Sequence, residues 1–324
     1  MQDCKHSRSI DVHHHFFPRD LDKVKANDLA FWRAPPGTLP WCAENSIRTM
    51  DAMNIDVAIL SIPPIAICDN FVESRTIARR HNIALRDLSV EYPMRFGFFA
   101  TLPFLQDIDG ALKEIDYALG VLHADGISLA SSYGRGSEAK YLGHDIYEPI
   151  WAELHRRNAV VFVHGTQTPS STPCPSELLG LPITEVPNET FKAAAHLVVT
   201  GRKMAYPNVN IILAHLGGNT VGLASRVAIL SEHMGSELCA DQILKGFQTF
   251  YYETALSAYE PNLLAVDAFA QEDRILFGTD FPAVGAKMAE WYTENLIRHY
   301  HVHGREKLDN IMSTNALRLF PRFN

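Results

Sequence analysis

The chain has 324 residues, of which 47% are hydrophobic and 20% are charged, a composition ordinary for a globular protein. Its formal net charge of −8 argues against a nucleic-acid-binding surface, because such surfaces use lysine and arginine to neutralise phosphates. No apolar run reaches the roughly 18 residues that a membrane span requires, and the N-terminus lacks the apolar core of a secretory signal. Five scattered cysteines without a CxxC pair suit a reducing compartment, so the sequence predicts a cytoplasmic protein that binds neither nucleic acid nor membrane.

Eight short runs rich in Val, Ile, Phe and Leu recur along the chain. Most of them are almost continuously apolar, which is typical of strands covered on both faces. We therefore predict eight buried strands, which read in chain order SIDVHHH, DVAILSIP, RFGFFATLP, ADGISLAS, AVVFVHG, VNIILAHLGG, TFYYETAL and RILFGTDFP.

Segments of helical length and periodicity separate these strands. Examples are Ser46–Met53, Glu73–Ser89, Asp109–Leu122, Asp145–Asn158, Glu189–Tyr206 and Ala286–His301. Strands and helices that alternate eight times predict the α/β class and a (β/α)8 TIM-type barrel, with residues 1–324 as one domain. An open doubly wound sheet is the structural alternative, but HHHFFP after the first strand offers no glycine-rich phosphate loop.

Two connections are unusually long for a compact domain. The first runs from Phe16 to about Ala43 and contains several aromatic residues with little helical regularity. The second runs from Gly165 to about Glu185 and is rich in Pro, Ser and Thr. Because both follow strand ends, we expect both to rise over the carboxyl-terminal face of the barrel, where barrel enzymes place their sites.

Ionisable side chains close several of the predicted strands. His13 and His15 are two residues apart and leave the same side of the first strand, while His14 points to the other side. His164, His215 and Asp280 end three further strands. A lone histidine at a strand end is more often a packing residue, and a histidine triplet could be a tag fragment. His or Asp at four separate strand ends nevertheless favours a metal site, because these ends converge at one barrel mouth.

Three of these segments resemble motifs of a known family. IDVHHHFFP is similar to the D-x-H-x-H-x-x-P opening of the amidohydrolase superfamily, in its amidohydrolase-2 branch. AHLGG resembles the A-H-G-G-G of that branch, with Leu216 in place of a glycine, and FGTDFP resembles its G-[ST]-D-x-P. The resemblance runs from about Ile10 to Phe320. The branch includes aminocarboxymuconate-semialdehyde decarboxylase, and DGISLASSYG and YYETAL look most like 6-methylsalicylate decarboxylase-type proteins.

The resemblance implies one divalent metal ion, with Zn²⁺ favoured and Mn²⁺ as the alternative. Binuclear members of the superfamily carry a lysine at the end of the fourth strand, whereas this chain has no lysine between Lys113 and Lys140. A single metal is therefore favoured. The implied metal ligands are His13, His15, His164 and Asp280, and the implied catalytic residues are His215 and Asp280.

The implied activity is the metal-dependent, non-oxidative decarboxylation of a small aromatic acid, an ortho-hydroxybenzoate. The best single substrate is 6-methylsalicylate, which would yield 3-methylphenol (m-cresol) and CO₂. The alternatives are a mononuclear metal-dependent hydrolase of a lactone or amide and a barrel that serves only as a scaffold. Several exposed aromatic residues are also compatible with a homodimer. The predicted substrate contacts are Phe16, Phe17, Phe31, Trp32, Trp41, Tyr133 and Glu253.

Overall fold

The computed structural model describes residues 8–64, 68–166 and 175–324. Eight parallel strands form one sheet, in which spatial neighbours also follow one another along the chain. In chain order the strands are β1 (Ile10–His15), β2 (Val57–Ser61), β3 (Phe96–Thr101), β4 (Gly126–Ala130), β5 (Ser132–Tyr133), β6 (Lys140–Tyr141), β7 (Val160–His164), β8 (Asn210–Leu213), β9 (Tyr251–Glu253) and β10 (Ile275–Leu276). The short β5 and β6 pair with each other as a separate antiparallel hairpin, and the other eight strands make up the barrel.

The segment that follows β10 closes the barrel against β1. The backbone N–H of Val12 donates to the carbonyl of Phe277 at 3.0 Å, and that of Asp280 donates to the carbonyl of His13 at 2.8 Å. The buried carboxylate of Asp11 accepts both the backbone N–H and the hydroxyl of Thr279, at 3.1 and 2.6 Å. The predicted eight-stranded barrel is therefore confirmed.

Thirteen α-helices are found in the described part of the chain, most of them between the barrel strands. They are α1 (Lys23–Leu29), α2 (Ala43–Ala52), α3 (Phe71–Glu91), α4 (Ile108–Gly120), α5 (Glu148–Arg156), α6 (Leu181–Val199), α7 (Arg202–Ala205), α8 (Thr220–His233), α9 (Ala240–Gln248), α10 (Glu260–Phe269), α11 (Ala286–His303), α12 (Arg305–Asp309) and α13 (Asn315–Leu319). Among these residues no helix combines the length and apolarity needed to cross a bilayer.

Helices occur where the sequence predicted them, with differences at their ends. The predicted helix Glu189–Tyr206 is wrong as one unit, because Gly201 adopts a φ of +71° and separates α6 from α7. The second long loop is also shorter than predicted, since α6 already begins at Leu181. Residues 167–174 of that loop lie outside the described part of the chain.

The first long loop contains α1, which the sequence did not predict. Asp22 caps this helix by accepting the backbone N–H of Lys25 at 3.0 Å. Within the helix, Lys23 Nζ donates a hydrogen bond to Asn27 Oδ1, one turn later, at 2.6 Å, and this bond stabilises the helix. With only 7 residues, α1 is too short to show a helical period in the sequence, and it places Lys23 beside the barrel mouth.

An irregularity in β1 controls which side chains face the barrel interior. The pairing register with β2 shifts between Asp11 and His14. Val12 consequently packs in the inner core, while the ring of His13 also contacts an inner side chain, Phe162, with ring centroids 4.9 Å apart. A β-bulge redirects side chains in this way and is common beside functional sites.

Candidate metal centre and active-site cavity

The four predicted metal ligands converge at the carboxyl-terminal mouth of the barrel. His13 and His15 lie on β1, His164 is the last residue of β7, and Asp280 follows β10. One donor atom of each residue lies within 4.8 Å of the donor atoms of the other three. All four side chains are buried, with residue exposures between 0% and 6%. The structure thus brings together residues separated by as many as 267 positions in the chain.

Each of the three imidazoles is held through its Nδ1 atom by a protein acceptor. A ring nitrogen that donates to such an acceptor carries the hydrogen, so the Nε2 atom keeps its lone pair. Nδ1 of His13 lies 2.7 Å from Glu253 Oε1. Nδ1 of His15 lies 3.1 Å from Ser61 Oγ and 3.3 Å from the carbonyl oxygen of Ser61. Nδ1 of His164 lies 2.9 Å from the carbonyl oxygen of Gly165.

The atoms that face one another in this cluster have the spacing of metal donors. His13 Nε2 and His15 Nε2 are 3.0 Å apart, and Asp280 Oδ1 is 3.4 Å from the first and 3.0 Å from the second. Within the described residues, buried Asp280 Oδ1 has no partner with hydrogen-bond geometry. Lone pairs and a carboxylate at this spacing repel unless positive charge separates them. Three imidazole nitrogens and one carboxylate oxygen therefore fit a divalent ion.

Burial keeps the donor atoms in the protonation state that a metal requires. Desolvation lowers the pKa of His13 and of His164 well below the usual value, so both rings are neutral. Burial alone would raise the pKa of Asp280, but the electrostatic influence of the surrounding imidazoles, His13 first among them, outweighs burial and holds that pKa below its ordinary value. Neutral imidazoles and an ionised carboxylate are the forms that bind metal.

His215 lies beside this cluster without being one of its four members. Its ring centroid is 4.9 Å from that of His13 and 5.3 Å from that of His164. Its Nδ1 atom lies 3.3 Å from the carbonyl oxygen of Ala255, which leaves Nε2 free to exchange a proton. Leu216, which replaces a family glycine, adopts a left-handed conformation (φ 51°, ψ 30°), so the glycine-like backbone beside His215 is retained at a cost of roughly 1–2 kcal/mol.

Glu253 lies beneath the metal-ligand cluster and positions its neighbours. Its carboxylate accepts from His13 Nδ1, from the backbone N–H of His215 and, at 2.7 Å, from the backbone N–H of Ala255. Complete burial raises the pKa of Glu253 to about 8, against the opposing effect of His215. These bonds match the orienting role that the sequence left open for this carboxylate.

The cluster opens into a cavity of about 310 Å³. This volume is at the small end of ligand pockets and suits a substrate with one ring. His15, His164, His215 and Asp280 contribute to its wall. The rest of the wall is largely apolar and includes Trp32, Val186, Leu256, Val284, Met288 and Tyr292.

The aromatic residues predicted to contact the substrate lie in several different environments. Trp32 lines the cavity and donates from Nε1 to the carbonyl of Ala283 at 3.1 Å. The described wall residues do not include Phe16 or Trp41, which pack edge to face with ring centroids 4.8 Å apart. Tyr133 lines a different cavity, of about 560 Å³. Phe17 stacks near His15, and Phe31 is exposed. A role in substrate binding stays a prediction for each of them.

Lys23 is a cavity residue that the sequence did not reveal. It is only 7% exposed, and its Nζ lies 4.9 Å from the centroid of the Phe17 ring. Within the described ranges, no carboxylate lies within 4.0 Å of this ammonium group. Burial lowers the pKa of Lys23 to about 8, although the charge of Asp280 acts in the opposite direction. In the sequence this lysine resembles any surface lysine, and only the position of α1 places it in the cavity wall.

A (β/α)8 barrel with histidines and an aspartate gathered at its strand ends has the architecture of the amidohydrolase superfamily. The sequence profile of the amidohydrolase family matches residues 10–322, and the chain belongs to this family, as its motifs predicted.

Comparison with characterised proteins finds decarboxylases among the relatives of this chain. Decarboxylase yanB of Aspergillus niger is 37% identical and aligns with 97% of this chain and 88% of its own length. The 6-methylsalicylic acid decarboxylase acuB of Aspergillus aculeatus is 36% identical, with 97% of this chain and 96% of its own length aligned. A dihydroxybenzoic acid decarboxylase from a Polaromonas species, solved with manganese and 2-nitroresorcinol, has a TM-score of 0.82 at 23% identity, with 97% of both chains covered. At 23% identity, this structural similarity shows that the two proteins share a fold.

Proposed function

We propose that the protein is a metal-dependent, non-oxidative decarboxylase of an ortho-hydroxybenzoate, and that 6-methylsalicylate is its substrate, with 3-methylphenol (m-cresol) and CO₂ as products. The observation that carries the proposal is the cavity itself. It combines buried metal-type donors, a largely apolar wall and the ammonium group of Lys23. The decarboxylases of aromatic acids among its relatives at 36–37% identity support the same reaction class.

In this proposal His13, His15, His164 and Asp280 hold one divalent ion, which would supply a Lewis acid that orients the substrate oxygens and stabilises the phenolate form. Zn²⁺ is our first choice because three of the four donors are imidazole nitrogens. Mn²⁺ is the alternative, and it is the ion in the Polaromonas structure.

The protein itself must deliver a proton to the ring carbon that carries the carboxylate, since CO₂ leaves only after that carbon is protonated. We assign this transfer to His215, whose Nδ1 is held by Ala255 and whose Nε2 lies at the cavity wall; Nε2 must first take up a proton, and the ortho-hydroxyl group of the substrate can supply it. Asp280 is ionised at rest, as its lowered pKa requires, so it would accept the proton of the substrate's ortho-hydroxyl group and pass it to His215, and a proton from solvent would complete the phenol after CO₂ has left. In this proposal His215 is the proton donor to the ring carbon and Asp280 is the relay, so both are catalytic residues.

Lys23 is proposed to bind the substrate carboxylate. A carboxylated ring that enters the cavity brings a negative charge into a largely apolar space, and Lys23 is the cation that lines this space among the described residues. Trp32, Val284 and Tyr292 line the cavity, and we propose that their side chains cover the ring and exclude water. The site would therefore favour small aromatic monocarboxylates.

The direct test measures CO₂ release and phenol formation from 6-methylsalicylate, 2,6-dihydroxybenzoate and 2-methylbenzoate by protein loaded with Zn²⁺ or Mn²⁺. We expect turnover of 6-methylsalicylate and no turnover of 2-methylbenzoate, which lacks the hydroxyl group needed to push electrons to the reacting carbon. A panel of lactones and amides tests the hydrolase alternative. Lactone or amide hydrolysis without any CO₂ release would reject the proposed function in favour of that alternative.

A further inference from the structure

A second cluster of metal-type donors lies on the outer helices α10 and α11. One donor atom each from Glu260, His299 and His303 lies within 4.8 Å of the other two. Glu260 is in the first turn of α10, and both histidines are near the end of α11. His299 and His303 are four residues apart, the spacing that places two imidazoles on one face of a helix where they can share a cation.

The environment of His299 points to a ligand. Its Nε2 atom lies 3.4 Å from Asp267 Oδ2, so this nitrogen donates its hydrogen to the carboxylate. The residue is 6% exposed, and within the described ranges its buried Nδ1 atom has no hydrogen-bond partner. A histidine that donates to a carboxylate from one nitrogen and leaves the other free has the arrangement found at metal sites. A buried acceptor with no donor is otherwise costly.

The charges around the cluster are compatible with a cation. Asp267 Oδ1 forms an ion pair with Lys307 Nζ at 2.7 Å and also accepts a hydrogen bond from the hydroxyl of Tyr300 at 2.7 Å. The positive charge of Lys307 is therefore balanced by Asp267. Glu260 remains as a carboxylate whose charge can be offset by a bound ion.

We propose that His299 Nδ1, His303 and Glu260 form a second divalent-cation site of the Zn²⁺ type, with water completing the coordination, and that the ion joins α10 to α11. The site is independent of the proposed activity. Tyr292, the last residue of α11 in the cavity wall, precedes His299 by seven residues, or roughly 10 Å of helix. We therefore expect this ion to stabilise the fold without taking part in catalysis.

The test titrates metal-depleted full-length protein with Zn²⁺ and measures bound metal by equilibrium dialysis with elemental analysis. Wild-type protein should bind two equivalents, whereas His303→Ala and Glu260→Gln should each bind one and retain full decarboxylation. His301→Ala is the matched control, because His301 is an exposed histidine on the same helix, and it should bind two. Both Glu260 and His303 are exposed, so their replacement should leave the fold intact.

The variant His13→Ala/His15→Ala separates the two sites, since it should lose one equivalent and keep the one on the outer helices. Zn²⁺ should also raise the unfolding temperature of this double variant, and this rise should disappear when His303→Ala is added. The proposal is overturned if the His13→Ala/His15→Ala variant binds no Zn²⁺, or if the second equivalent of the wild-type protein persists with unchanged affinity in both His303→Ala and Glu260→Gln.

Discussion

The barrel mouth and the outer face of α10 and α11 each gather histidine and carboxylate donors within 4.8 Å, yet the two clusters are built differently. At the mouth every donor is buried, and each imidazole is oriented by an acceptor on the barrel framework. On the outer helices only His299 is buried, while Glu260 and His303 are exposed. Preorganised and desolvated donors bind a metal tightly and can act on a substrate, whereas exposed donors can mainly add stability.

The largest expected effect breaks the inner cluster. His13→Ala/His15→Ala removes two of its four donors, so decarboxylation should fall by roughly 10³-fold or more, since a Lewis acid contributes several kcal/mol to such a reaction. The measurement is kcat/KM together with the metal content per chain. The matched comparison is His303→Ala, for which we expect unchanged kcat/KM. Equal losses of activity in the two variants would contradict the difference between the clusters.

The next effect concerns the cation beside the inner cluster. Lys23→Met removes the ammonium group proposed to bind the carboxylate, and KM should rise by about 10- to 100-fold, the range for a lost hydrogen bond to a charged group. The value of kcat should change much less. Lys25→Met, at an exposed position on the same helix, is the control and should leave KM unaltered. An unchanged KM in Lys23→Met, with decarboxylation intact, would reject this role of Lys23 and leave the reaction assignment standing.

A third prediction asks whether burial alone makes a histidine functional. His14 is buried on β1, but it faces away from the cluster, with Nδ1 3.0 Å from Asp11 Oδ2 and Nε2 3.2 Å from Ser46 Oγ. His14→Ala should reduce the free energy of unfolding by about 1–3 kcal/mol, because buried hydrogen bonds are lost. Denaturant unfolding measures this loss. Metal content and kcat should be retained, and loss of the metal would show that His14 belongs to the centre.

The smallest expected effect is the pH dependence of substrate binding. Burial lowers the pKa of Lys23 to about 8, so the side chain is charged below that pH and loses its proton above it. KM for an aromatic carboxylate should therefore rise as the pH increases beyond about 8, by at most about tenfold per pH unit. Lys23→Arg keeps its charge throughout this range and should remove that rise. A wild-type KM that is flat from pH 7 to pH 9.5 would contradict the prediction.

The fold and the inner cluster could be predicted because both depend on short-range patterns. Apolar runs identify strands that are buried on both faces, and residues at the ends of parallel strands meet at one barrel mouth whatever their separation in sequence. This convergence predicted that His13, His15, His164, His215 and Asp280 meet at the mouth, and the family resemblance implied that four of them, without His215, are the metal ligands. The period of two along β1 also separated His14 from its neighbours correctly, although the register shift after Asp11 was not visible in the sequence.

Residues on loops and helices could not be placed in the same way. Helix α1 is too short to show a clear period, so Lys23 remained indistinguishable from a surface lysine. Phe16, Trp32 and Trp41 belong to one loop, yet Trp32 lines the cavity while the other two pack against each other. These outcomes depend on how each loop folds back over the barrel.

From the amino-acid sequence alone the α/β barrel could be predicted, because strand periodicity is a property of local backbone geometry. The family followed from the resemblance of three short motifs, and that resemblance implied the four metal ligands. The packing of the folded chain was needed to show that Glu253 holds His13, that Lys23 reaches the cavity, and that α10 and α11 bring Glu260 to His299 and His303. Each of these contacts joins segments whose relative position is set by side-chain packing between separate elements, and no local pattern records that position.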